Sequence, residues 1–297
     1  MDGRRHGRDG LCRRIGARAT VPAVAGTLAL AMTLGVAAAP SASAQPRIAA
    51  ASAICVSAAH PKLAARMSTQ IAAALRGRRS VVGLAVQDEG LDVSCRLHSG
   101  RRFYAASVIK VTIISALLRK IGGPAHLSKA QRSLAWRMIT ESDNNAATAL
   151  WNQTGHAALQ RFLNLAKMTH TGLSPAWGLT RITAQDELTL LRLLASRGTV
   201  LTPRSRSYIL WLMAHVIASQ RWGVPAGAPG RVTVHVKNGW LGYPSNSDWN
   251  INSIGVFTGS HLGWQTAVLT TGNRNMTYGI DTIQPAARVI NRDLANF

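Results

Sequence analysis

The chain has 297 residues, 47% of them hydrophobic, and carries 34 Lys and Arg against 12 Asp and Glu, a formal charge of +22. That length supports a large core or two interlocked layers. The arginines are scattered, and no zinc knuckle, RNP sequence or basic-helix pattern accompanies them, which argues against a nucleic-acid binder; no His/Cys cluster at metal spacing occurs, so no metal and no cofactor are expected.

Residues 1–44 read as a cleaved export signal. Arg4, Arg5, Arg8, Arg13, Arg14 and Arg18 form a basic lead-in, residues 23–39 are free of charge, and "PSASAQ" offers a small-x-small cleavage site before Gln45. The apolar run is short for a bilayer span. A retained N-terminal anchor is the alternative, and the Arg13 and Arg14 pair leaves both the Sec and the twin-arginine routes open. Removing 44 of 297 residues leaves 253, and taking six arginines and two acids from +22 leaves +18. A secreted, monomeric protein that adheres weakly to an anionic cell wall is the partner expectation. Of three cysteines, Cys12 leaves with the signal. Cys55 and Cys95 are then disulfide candidates in an oxidising compartment, with two separately buried thiols as the alternative.

Residues 45–57 form an Ala/Ser/Pro tail expected to be disordered. Three- and four-residue apolar spacing predicts a helix over 61–75. "SVVGLAVQD" and "LDVSCRLHS", joined through Glu89 and Gly90, predict a β-hairpin. The apolar run through residue 118 predicts a buried helix. Residues 126–225 show helical periodicity only, broken at Gly155, Gly172, Gly178 and Gly198. "RVTVHVKNGW", "INSIGVFTG" and "WQTAVLTTG" predict three further strands, and "DTIQPAARVINRDL" a last helix with Pro285 in or near its first turn. The expected fold is α/β plus all-α. An antiparallel five-stranded sheet flanked by the terminal helices comes from 58–106 and 228–297, with a helical subdomain inserted at 107–227.

The chain has only six lysines, yet "FYAASVIKVT" places Lys110 in an apolar segment three residues after Ser107. Residues i and i+3 share a helix face. A serine hydroxyl needs a base to become a nucleophile, and a desolvated lysine has its pKa lowered into a useful range. A capping serine with a snorkelling lysine is the plain alternative. "TESDNNAATALW" places Ser142, Asp143 and Asn144 before an apolar helix, where they are also ordinary N-caps. "HVKNGW" places Lys237, Asn238 and Gly239 on a β run, where the glycine also suits a bulge.

In this order, S-x-x-K, S-D-N and K-x-G, the set resembles the penicillin-recognising serine hydrolases, above all class A β-lactamases and their actinobacterial relatives. The resemblance spans residues 58 to the C-terminus and implies a β-lactamase/transpeptidase-like fold. It implies that Ser107 is acylated by a β-lactam or a related amide or ester, that Lys110 is its base, and that Ser142 passes a proton to the leaving nitrogen. It further implies that Asn144 binds a substrate amide, that Lys237 supplies positive potential, and that the N–H groups of Ser107 and Trp240 bind the oxyanion.

The sequence departs from that family in two places. No Asp or Glu lies between Asp143 and Asp186, where "AKMTHTGLSPAWGLTRITAQ" stands in place of the loop that carries the class A glutamate. Slow deacylation follows, unless Glu141, Asp186, Glu187, His156 or His170 substitutes. The third motif has Asn238 where a hydroxyl is usual; its amide can donate to a carboxylate. Tyr104 and Trp240 are candidate cleft walls and Arg221 a candidate carboxylate partner. A peptidoglycan D,D-peptidase acting on cell-wall peptides, or a non-catalytic wall-binding module, are the alternative functions.

Overall fold

The computed structural model describes residues 53–243 and 248–297. The expected signal at 1–44 lies outside the described residues. The chain runs β1 (Cys55–Val56), α1 (Pro61–Ala74), β2 (Val81–Asp88), β3 (Val93–Leu97), β4 (Arg102–Tyr104) and a 3-10 turn (Ala106–Val108) that leads into α2 (Ile109–Ile121). Then come α3 (Lys129–Trp136), a π turn (Arg137–Glu141), α4 (Asn144–Thr154), α5 (His156–Leu165), β5 (Arg181–Thr183), α6 (Ala184–Ala195) and α7 (Pro203–Ala214). Strands β6 (Thr233–Tyr243), β7 (Asp248–Thr258) and β8 (Gly263–Asn273) and the helix α8 (Met276–Ala295) complete it.

The main sheet has the order β1-β3-β2-β8-β7-β6, with every pair antiparallel. The five expected strands form it, and the two-residue β1 adds a sixth at one edge. Strand β1 thus falls within residues 45–57, expected to be disordered; residues 45–52 lie outside the described residues. Cys55 sits opposite Cys95 in the β1–β3 register and is bonded to it, which holds this end of the chain on the sheet.

Alternation along the strands sorts the two faces. Trp264 stacks on Phe257 and donates to Asn291 of α8, so these residues mark the face covered by α8 and α1. Gly279 of α8 lies so close to Ile251 on that face that a Cβ there would overlap the isoleucine side chain. The opposite face, carrying Lys237, Gly239 and Asn252, is covered by α6 and by the start of α2. The core-facing residues of α1 are Leu63, Ala64, Met67 and Ile71, the spacing of one helical face.

Two details differ from expectation. The stretch read as helical throughout contains β5, which pairs with β4 in a separate two-stranded sheet; three-residue strands are too short to show alternation. The last helix begins at Met276, capped by Asn275, and holds Pro285 in its interior. Proline has no N–H to donate to the carbonyl four residues back. That carbonyl, of Asp281, instead accepts a hydrogen bond from Arg78 Nη2 at 2.6 Å.

The disulfide closes a sequence separation of 40 residues, worth about 4 kcal/mol by loop-closure entropy. Cys95→Ser is expected to lose most of that stability in urea unfolding, and a midpoint unchanged from that of the oxidised parent would refute the assignment.

Candidate active site

Ser107 lies in the 3-10 turn and Lys110 in the first turn of α2, so their three-residue spacing keeps both on one side of the helical surface. The turn is entered through Ala106 at φ +47°, an uncommon conformation for a residue with a Cβ. Its approach is fixed from two directions. Ala105 N–H donates to Thr180 O at 2.8 Å, and the Asn252 amide on β7 donates to Tyr104 O at 2.8 Å and Ala105 O at 3.1 Å. Asn252, which no sequence signal singled out, thus helps to place Ser107. The serine is half-buried, and among the described residues its hydroxyl has no hydrogen-bond partner.

Lys110 is fully buried. Its ammonium donates to Ser142 O at 2.7 Å, Asn144 Oδ1 at 2.8 Å and Ser142 Oγ at 3.2 Å. Burial lowers its pKa to about 7, with the Asp143 carboxylate opposing the shift. Ser142 reaches it because the preceding residues form a π turn, after which Ser142 takes φ +60° and turns its carbonyl to the lysine. Asp143 then caps α4 by accepting from Ala146 N–H at 2.8 Å. The motif's bland role and its site role therefore coexist on adjacent residues.

Lys237, on β6, comes to the same hydroxyl from the other side. It is fully buried and donates to Ser142 Oγ and to Asn238 O, both at 2.9 Å. Burial first, and then the neighbouring Lys110, push its pKa well below the ordinary lysine value. One hydroxyl thus bridges two desolvated amines.

Strand β6 is the sheet edge. Because the Asn238 carbonyl takes the Lys237 ammonium, the backbone groups of Asn238 lie on the open edge, and so does the N–H of Trp240 two residues on. At Gly239 this edge presses against the Ser107 turn: a Cβ there would sit 2.7 Å from Ser107 N and 2.9 Å from Val108 N. Only glycine allows that approach, which sets the Trp240 edge beside the Ser107 N–H at the start of a helical turn.

Two sequence expectations are corrected. The Asn238 side chain is fully buried, and its amide hydrogens go to Gln220 O at 2.8 Å and Trp222 O at 2.9 Å. It fastens the 218–224 segment to the sheet instead of offering a donor to a carboxylate, because alternation puts it on the face opposite Lys237. Arg221 likewise donates to Ala214 O at 3.0 Å and Val234 O at 3.1 Å, clamping α7 to β6. Trp240 is half-buried against Trp222, with ring centres 6.1 Å apart. Tyr104 lies under the Arg181 guanidinium at 4.2 Å. Glu141 is exposed, and its carbonyl accepts from Gln220 Nε2 at 2.9 Å.

The remaining acids lie at the start of α6. Asp186 closes the neck of the 170–186 loop, accepting from Thr171 Oγ1 at 2.7 Å and His170 N–H at 2.9 Å. Glu187 is fully buried with neither carboxyl oxygen hydrogen-bonded, and burial, reinforced by Asp186, raises its pKa to about 8. It is therefore protonated at neutral pH. His156 is an exposed residue at the start of α5.

A second residue beside the site, like Asn252, had no sequence signal. Trp177, in a 3-10 turn of the carboxylate-free loop, holds its ring 4.9 Å from Lys110 Nζ and donates through Nε1 to Thr148 Oγ1 at 3.0 Å.

The fold and the family match make the chain a member of the penicillin-recognising serine hydrolase superfamily. The model of the Beta-lactamase enzyme family matches residues 123–294, and the chain belongs to that family. Among solved structures, PBP-A is similar at 20% identity, a TM-score of 0.68 and coverage of 78% of this chain and 97% of that one. A β-lactamase from Sphaerobacter thermophilus DSM 20745 is 19% identical, with a TM-score of 0.66 and coverage of 78% and 97%. A class A β-lactamase representative from Bacteroides cellulosilyticus DSM 14838 is 15% identical, with a TM-score of 0.67 and coverage of 78% and 98%. At these identities the common property is the β-lactamase/transpeptidase-like fold. No curated protein matches the chain.

Asn238→Ala leaves two backbone carbonyls without donors, a loss of about 1–3 kcal/mol. Faster amide exchange over residues 220–224 is expected, with α1 unaffected. Unchanged exchange in that segment would show that Asn238 does not hold it.

Proposed function

We propose that the protein is an exported serine hydrolase that forms an acyl-enzyme on Ser107 with a β-lactam or a related amide or ester. The observation that carries this is the Ser142 hydroxyl held between Lys110 and Lys237 beside the Ser107 turn. Lys110, with a pKa of about 7, has a large neutral fraction at neutral pH and takes the Ser107 proton as Oγ attacks the carbonyl carbon. The oxyanion is received by the N–H groups of Ser107 and Trp240. Ser142 delivers a proton to the departing nitrogen and is resupplied across the Lys110–Lys237 bridge. Asn144 is exposed, and since its Oδ1 is bound to Lys110 its Nδ2 is left for a substrate amide. With Asn238 and Arg221 turned elsewhere, Lys237 and Ser142 are the groups left to meet an acidic substituent.

Deacylation is slow in this reading, because no carboxylate stands between Asp143 and Asp186 and removing a general base costs about a hundred- to ten-thousand-fold. That same feature favours a second reading, a D,D-peptidase or penicillin-binding enzyme acting on cell-wall peptides. A variant of PBP-A has been solved as an acyl-enzyme complex with penicillin G. Export rests on the leader at residues 1–44.

Incubation with a fluorescent penicillin, or with an activated ester, is expected to give an adduct by intact mass that persists for hours and is absent from Ser107→Ala. Adduct on Ser107→Ala, or none with lactams, esters or D-Ala-D-Ala peptides, would falsify the assignment. Acylation should rise about tenfold per pH unit below 7 and level off above it, since the base acts only when neutral. Lys110→Ala should slow it by about a hundred- to ten-thousand-fold. A flat profile between pH 5.5 and 8 excludes Lys110 as the base.

A further inference from the structure

Trp177 faces Lys110 from the loop side, and the mechanism above does not use its position. Its ring centre lies 4.9 Å from Nζ. A water hydrogen-bonded to Nζ and resting on the ring needs about 6 Å between them, from a bond of about 2.9 Å and a van der Waals contact of about 3.5 Å at a slight bend. No water fits in that gap.

The ring is also held where it is. Nε1 is tied to Thr148 on α4 at 3.0 Å. The loop is closed behind it by Gly172 and Arg181, which exchange two backbone hydrogen bonds of 2.8 and 3.0 Å. Thr180, three residues after the tryptophan, accepts twice: its carbonyl from Ala105 N–H at 2.8 Å, and its hydroxyl from Ser174 N–H of the same loop at 3.3 Å. Swinging the indole out therefore breaks contacts to α4 and strains the backbone that positions Ser107.

We propose that Trp177 is a water-excluding wall over Lys110 that lengthens the life of the acyl-enzyme. The proposal rests on the acyl-enzyme reading for its consequence, though not for the wall itself. Hydrolysis forms a bond from a water oxygen to the acyl carbon and breaks the carbon–Oγ bond of Ser107. The water's proton passes to a base, and Oγ regains one. Lys110 is the amine beside that ester, and the indole face blocks water from reaching its nitrogen from the loop side. Trp177 acts through Lys110 and the space around it, as a positioning residue.

Two readouts on the full chain test this, in Trp177→Phe, Trp177→Ala and Thr148→Val. Lys110 labelling by trinitrobenzenesulfonate at pH 8, followed by peptide mass mapping, is expected at least tenfold faster in Trp177→Ala. It should be about fivefold faster in Thr148→Val, and within twofold of the parent in Trp177→Phe. Acyl-enzyme lifetime should fall at least tenfold in Trp177→Ala, with the acylation rate changed less than threefold. Equal labelling in all proteins, or equal lifetimes where adducts form, overturns the wall. If no protein forms an adduct, the acyl-enzyme reading falls and the labelling alone decides. If Trp177→Ala does not fold, the graded response of the other two variants decides.

Discussion

The cost of burying two ammonium groups organises the site. An isolated buried cation is destabilising by several kcal/mol, and Lys110 and Lys237 sit close enough to repel one another. The fold answers by supplying acceptors from three places: the carbonyl and hydroxyl of Ser142 just after the π turn, an amide oxygen from α4 and a carbonyl from the sheet edge. What remains is relieved by proton loss, which is why Lys110 sits near pH 7. Under the proposed mechanism, the same desolvation is what lets Lys110 accept a proton.

The geometry needs close approach as well as charge. Gly239 lets the sheet edge touch the Ser107 turn, and Ser142 turns its carbonyl through a left-handed conformation. Ala106 is likewise left-handed, immediately before the serine. Such backbone conformations persist only where surrounding bonds over-determine them. Here Asn252, Thr180 and Gln220 provide those bonds.

The three motifs were legible because lysine is scarce in this chain and an ammonium among apolar residues demands a reason. The strands β2, β3, β6, β7 and β8 were legible from β-branched runs. Asn238 shows what is lost when residue type is read without direction: strand alternation alone places it on the face opposite Lys237, although its partners at Gln220 and Trp222 come from a segment that sequence cannot bring near. Asn252 was hidden, and Arg221 was given the wrong partner, for the same reason: their targets are backbone carbonyls supplied by tertiary packing. Trp177 is one aromatic in a loop, and neither spacing nor composition ties it to a lysine 67 positions earlier. Pro285 suggested a helix start because that is where proline is cheapest; Arg78, from the far end of the chain, takes the carbonyl that it leaves without a donor.

In the sheet, β2 runs alongside β8, with Val81 opposite Thr271. The central seam therefore joins an early strand to a late one, and helices α2 to α7 all lie between them in the sequence. Closing so large a loop is slow, and the seam cannot form until synthesis has passed the last strand. During that interval α1 and the β2–β3 hairpin have no completed partner. Completion of the sheet thus waits for β8, which supplies the partner that β2 lacks until then.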